Sequence, residues 1–128
     1  MPLKDKSVLV VDDMKMVRAR LKIILQELGT GTVHEAADGK QALECLKAGG
    51  IDLVLSDWNM PNMTGIELLQ TMRGQPGLDK LPVIFVTTEA QKSSMVQSML
   101  AGVTDYIVKP FSDDQVKKKI LAALNVKA

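Results

Sequence analysis

The sequence predicts a doubly wound α/β domain: five parallel strands in the order 2-1-3-4-5, with five helices covering both faces of the sheet. Three observations lead there. Short runs rich in Val, Ile and Leu alternate five times with helical patterns, and parallel neighbours need a crossover that a helix supplies. Capping residues and glycines stand at the boundaries between the two kinds of segment. The strands also differ in how continuously apolar they are, which separates central from edge positions.

Strand one is Val8 to Val11, an unbroken apolar run of the kind buried on both faces. Helix one follows from Met14, Val17, Leu21, Leu25 and Leu28, whose spacing of three and four places them on one face. Strand two, Thr32 to Ala36, alternates polar and apolar residues, as on a half-exposed edge. Strand three is Leu53 to Leu55, and Thr64 with Glu67 forms a capping box that starts helix three. Strand four is Val83 to Val86, strand five Ile107 to Val108, and Ser112 with Gln115 starts helix five in the same way. Gly29, Gly49, Gly50, Gly74, Gly77 and Gly102 fall where helical patterns stop, as residues tolerant of left-handed backbone angles do. Strands one, three and four are the most apolar, so they take the centre and leave two and five at the edges.

A chain of 128 residues is long enough for one continuous core and too short for two. One domain over 1–128, with no linker, repeat or output module, is therefore expected. Sixteen basic residues against fifteen acidic ones leave a net charge of +1, so no global field favours nucleic acid or anionic lipid. No apolar run approaches the roughly 18 residues that cross a bilayer, and the start lacks the apolar core of a signal peptide. The expected molecule is a soluble, cytoplasmic monomer. Cys45 stands alone, within a helical pattern, and reads as a buried structural thiol.

The polar residues carry the functional information. Asp12 and Asp13 follow strand one, Asp57 follows strand three, Thr87 follows strand four and Lys109 follows strand five. In a parallel sheet those carboxyl ends share one edge, and ligands bind where the strand order reverses, here between strands one and three. Carboxylates brought within a few ångströms repel by roughly 1 kcal/mol per pair in water and several-fold more at a protein-like dielectric. A hard dication offsets this, and Mg²⁺ suits a site of few carboxylates, retained waters and phosphate oxygens. With Mg²⁺ and the Lys109 ammonium flanking it, a phosphoryl group would have its oxygens neutralised while the Thr87 hydroxyl donates a further hydrogen bond. Asp57 is the expected acceptor. Taken alone, Asp12-Asp13 also reads as a helix cap, Thr87 as a strand end and Lys109 as a surface charge. Their joint placement selects the functional reading.

These residues resemble response-regulator receiver domains in the segments Val10-Val11-Asp12-Asp13, Leu55-Ser56-Asp57-Trp58-Asn59-Met60-Pro61, Val86-Thr87-Thr88 and Asp105-Tyr106-Ile107-Val108-Lys109-Pro110-Phe111. The likeness runs the full length and is nearest to stand-alone receivers of chemotaxis, given Trp58, Asn59 and Glu89. It implies the same strand order and phosphorylation of Asp57 by a histidine autokinase. Asp13, Asp57 and the Asn59 backbone carbonyl would ligate Mg²⁺, with Asp12 acting through water. It further implies that Thr87 moves toward the acyl phosphate and Tyr106 turns inward, remodelling the face of helix four, strand five and helix five for a phosphorylation-dependent target such as a flagellar motor switch component. Asn59 and Glu89 would tune dephosphorylation, though they also suit a turn and a first-turn helix acid. A phosphatase is a further possible partner. The Lys109-Pro110 bond resembles the family's cis peptide. Thr88 departs from the small residue many members carry there, which bears on the rate of phosphotransfer.

The resemblance implies no enzyme of external substrates, only self-catalysed phosphotransfer and dephosphorylation. A phosphorelay carrier with a non-motor partner is the alternative. An aspartyl phosphohydrolase is disfavoured because Asn59 cannot act as a proton donor, and a flavin protein because the loop after strand one is acidic. Of the remaining features, Met60, Met63, Met95 and Met99 read as core fillers before a soft binding surface. His34 reads as solvated, and Lys117-Lys118-Lys119 as one exposed helix face.

Overall fold

Each central strand is apolar on both sides, so its alternate side chains feed two separate cores. In the computed structural model, which describes residues 2–58, 60, 63–88 and 92–125, five parallel strands lie in the order β2-β1-β3-β4-β5. They are β1 (Ser7–Val11), β2 (Thr32–Ala36), β3 (Leu53–Ser56), β4 (Val83–Thr87) and β5 (Asp105–Val108). Among the described residues the helices are α1 (Lys15–Glu27), α2 (Gly39–Lys47), α3 (Gly65–Arg73), α4 (Lys92–Leu100) and α5 (Asp113–Ala123), with a short 3-10 turn at Pro2–Asp5. The expected order and alternation are the ones found. None of these helices is long and apolar enough to cross a membrane.

Val8, Val10, Leu53, Leu55, Ile84, Val86 and Ile107 face one side, where they meet Leu21, Ile24 and Leu25 of α1 and Val116 and Ile120 of α5. Leu9, Val11, Val54, Val83 and Phe85 face the other, against Ala42 and Leu46 of α2 and Leu68, Leu69 and Met72 of α3. All are nearly free of solvent, so each large side chain contributes about 1.5–3 kcal/mol relative to exposure. The register carries the strand ends to a common edge: Val11 lies opposite Ala36 and Ser56, and Thr87 opposite Val108.

The helix starts follow their caps. Thr64 and Glu67 form both halves of a capping box, and the Ser112 hydroxyl accepts from the Gln115 amide. Asp38 caps α2 by accepting from the Gln41 amide. Gly29, Gly49, Gly50, Gly77 and Gly102 take positive φ, whereas Gly74 ends α3 at φ −89°.

Four expectations need correction. Met14 is not on the buried face of α1: it is the extended N-cap, out of phase with the helix, and is 56% exposed. The core reading of the methionines holds for Met60, and Met63 packs partly buried against the second core, but Met99 is 71% exposed at the C-terminal end of α4. The lysine run wraps around α5 because residues two apart point to nearly opposite sides. Lys117 pairs with Glu27 at 3.1 Å and Lys119 with Asp105 at 2.7 Å, on opposite flanks of the helix. His34 is exposed as expected, while Cys45 is only half-buried against the second core.

Arg73 joins three segments at the end opposite the site residues' own loops. Its guanidinium donates to the Leu78, Leu81 and Gly102 carbonyls at 2.8–3.2 Å, and burial lowers its pKa. Arg73→Met leaves those carbonyls without their charged donor, so urea denaturation should give a stability loss of about 2–3 kcal/mol. A loss indistinguishable from zero would show that the three segments hold without it.

Candidate functional site

Backbone hydrogen bonds continue the parallel ladder beyond the strands and set the polar residues at its edge. The Asp12 N–H donates to the Ala36 carbonyl at 3.1 Å, the Asp57 N–H to Val11 at 2.9 Å and the Lys109 N–H to Thr87 at 2.8 Å. One carboxylate oxygen from each of Asp12, Asp13 and Asp57 lies within 4.8 Å of the others. The Lys109 ammonium reaches Asp12 Oδ2 at 2.8 Å and Asp57 Oδ2 at 3.4 Å. Residues far apart in the chain thus meet as the sequence predicts.

Their environments differ. Asp12 is 1% exposed, and Asp13 is open to solvent. The side chains of Asp57 and Lys109 are 12% and 13% exposed, enough for a small ligand to reach them from one side. Burial raises the Asp12 pKa, opposed by the Lys109 hydrogen bond and by the Met14 N–H that donates to Asp12 Oδ1 at 2.9 Å. Asp12 therefore braces the loop that leads into α1 and faces the acidic edge at once.

Thr87 is fully buried at the end of β4, and Thr88 beyond it is exposed. Tyr106 is half-buried with its ring edge-on to Phe85, centroids 6.2 Å apart. The Lys109-Pro110 peptide is cis, as the resemblance implies. Asn59 and Glu89, expected as a carbonyl ligand and as tuning residues, lie outside the described residues.

Three further residues shape the site. Arg18 Nη1 donates to the Asp12 carbonyl at 2.6 Å while its Nε pairs with Glu35 at 3.2 Å, bracing the acidic loop from behind. Gly65 opens α3 with its N–H on the Trp58 carbonyl at 2.9 Å. A Cβ there would collide with the Asp57 carbonyl, so only glycine permits this close return of the loop. Trp58 Nε1 donates to the Ser98 hydroxyl on α4 at 3.1 Å. Trp58 already stands out in the sequence beside Asp57, whereas a glycine directly after a capping threonine is the only signal for Gly65 and nothing local marks Arg18.

A buried carboxyl with a raised pKa binds its proton more tightly in the folded than in the unfolded chain. Its contribution to stability is full below the ordinary carboxylate range and is lost as pH rises through the raised value. Asp12→Asn removes that loss, so in chelator its stability relative to the natural chain should climb as pH rises above the ordinary carboxylate range. Urea midpoints across that rise check this, and a flat difference would contradict the burial effect.

The response regulator receiver domain family matches residues 8–121. The chain is 43% identical over 117 residues to chemotaxis protein CheY-3 of Vibrio cholerae, spanning 91% of this chain and 90% of that protein. It is 43% identical over 114 residues to chemotaxis protein CheY of Pseudomonas aeruginosa, spanning 89% and 92%. The solved structure of Vibrio cholerae chemotaxis protein CheY4 superposes with a TM-score of 0.87 at 34% identity, over 93% of this chain and 98% of that one. Strand order, the acidic edge and these similarities agree: the chain belongs to the response regulator receiver domain family.

Proposed function

We propose that this receiver is the phosphorylation switch of a two-component chemotaxis pathway in the cytoplasm, with Asp57 accepting a phosphoryl group from a histidine autokinase. The observation that carries the reading is the meeting of three carboxylates with one ammonium at the sheet edge. Its similarity to proteins named for chemotaxis supports the pathway.

The donor set suits a hard dication with oxygen ligands. Asp13 and Asp57 would hold Mg²⁺ directly, Asp12 through water, and the Asn59 carbonyl would complete the set. When bound, the ion neutralises charge on the phosphoryl oxygens. Asp57 forms a P–O bond as the P–N bond to the donor imidazole breaks, and the nitrogen keeps the electron pair. Lys109 stays protonated and pairs with a phosphoryl oxygen, released in part from its two carboxylates. The Thr87 hydroxyl donates a second hydrogen bond, and Tyr106 turns toward the space that Thr87 vacates. The chain turns over no external substrate. It catalyses its own phosphorylation and, tuned by Asn59 and Glu89, its own dephosphorylation, with a phosphatase as a further partner.

The target face proposed is α4, β5 and α5. Val96, Met99 and Leu100 leave an exposed apolar edge on α4. Beside it, Met95, Val103, Tyr106 and Lys119 line a groove of about 380 Å³. A flagellar motor switch component is the occupant proposed. A few kcal/mol of preference for the active arrangement moves the population from mostly off to mostly on, which one ion pair and one hydrogen bond supply.

Acetyl phosphate with Mg²⁺ should add one acid-labile phosphoryl group, and Asp57→Asn should abolish it. Labelling that persists in the variant would exclude this acceptor. Emission from Trp58 should respond to Mg²⁺ in the natural chain and lose that response in Asp13→Asn. A titration flat up to saturating metal would remove Mg²⁺ from the site.

A further inference from the structure

The protein has a single tryptophan, which directly follows the proposed acceptor, and its indole N–H is spent on α4. Ser98, the partner at 3.1 Å, is fully buried on the inner side of that helix, while Val96, Met99 and Leu100 of the same helix are exposed. A buried hydroxyl costs free energy unless it is hydrogen-bonded, and an indole N–H can only donate. The bond therefore gives the indole N–H its acceptor and the buried hydroxyl a donor, and it joins two elements distant in sequence.

The surroundings give this link leverage. On the loop side, the Trp58 carbonyl is held by the Gly65 N–H, and the Asp57 carbonyl presses on Gly65 where a Cβ would stand. The loop backbone at 57–58 thus cannot shift without moving Trp58. Past the far end of α4, Arg73 grips the Gly102 carbonyl at 2.8 and 3.1 Å. The helix is anchored just beyond its C-terminus by Arg73 and tied in its last turn to the acceptor loop.

We infer that Ser98 is a positioning residue. By holding the Trp58 indole it couples the acceptor loop to α4, so that the exposed Val96, Met99 and Leu100 edge follows the state of Asp57. The inference rests on Asp57 being the phosphoryl acceptor. A change of charge and volume at Asp57 moves the adjacent Trp58, and the indole then either carries α4 with it or releases Ser98.

The test compares the natural chain with Ser98→Ala, Trp58→Phe and the double variant. Acetyl phosphate labelling reports Asp57, and Mg²⁺ with beryllofluoride serves as a stable phosphoryl mimic for hydrogen exchange of the α4 amides. Ser98→Ala should label at Asp57 as the natural chain does. Its α4 response to the mimic should shrink roughly five-fold, the population change that one net hydrogen bond of about 1 kcal/mol supports. Trp58→Phe should reduce the response equally, and the double variant should go no further. The one indole N–H resonance should shift and lose exchange protection in Ser98→Ala. A full α4 response in labelled Ser98→Ala, or additive losses in the double variant, would overturn the coupling. If Ser98→Ala does not fold, Trp58→Phe decides alone: a full response there overturns it. Absence of Asp57 labelling in the natural chain is a separate result that would remove the acceptor reading itself.

Discussion

The Lys109 ammonium lies between two carboxylates that would otherwise drive each other apart. Two like charges about 4 Å apart repel by about 4 kcal/mol at the effective dielectric of a protein surface, more than an ordinary hydrogen bond contributes net. Lys109, 2.8 Å from Asp12 and 3.4 Å from Asp57, offsets that repulsion for both. Once ionised, three acids against one ammonium still leave the edge with a surplus of negative charge. A surplus of this kind is what a hard cation with oxygen ligands offsets.

That balance is only as good as the register beneath it. Side chains alternate across a strand, so a slip of one residue in β3 or β5 would turn the functional residue toward the opposite face. The two cores prevent the slip: Leu53 and Leu55 belong to one and Val54 to the other, and no shifted pairing buries all three correctly. The apolar residues thus specify the polar geometry, although none of them touches it.

This explains what could be read from the chain. The central strands are legible because burial on both faces demands continuous Val, Ile and Leu, and the caps at Thr64 and Ser112 because a hydroxyl three residues before Glu or Gln has a local purpose. Asp12, Asp57 and Thr87 are legible because each follows the apolar run of such a strand, and Lys109 because it follows the shorter run of the edge strand β5. Contacts between side chains distant in sequence were not. Nothing local marks Arg18 as a brace for the Asp12 carbonyl or Ser98 as the partner of Trp58, since each depends on how a helix sits against a loop after a strand. Met14 and the lysine run were misread for a related reason: a pattern gives periodicity, but the phase at a helix end and the partner on each flank come from tertiary structure.

The helices are not held equally firmly. α1 presents Leu21, Ile24 and Leu25 to the core and α5 presents Val116 and Ile120, each side chain worth about 1.5–3 kcal/mol. One hydrogen bond more or less would not move them. Across 95–100 of α4 the only fully buried residue is Ser98, and the apolar ones point mostly outward. Where packing is this thin, a bond of about 1 kcal/mol is a large share of what fixes position. The helix that leaves its apolar edge open is thus also the one whose position depends most on a single contact from the loop after β3.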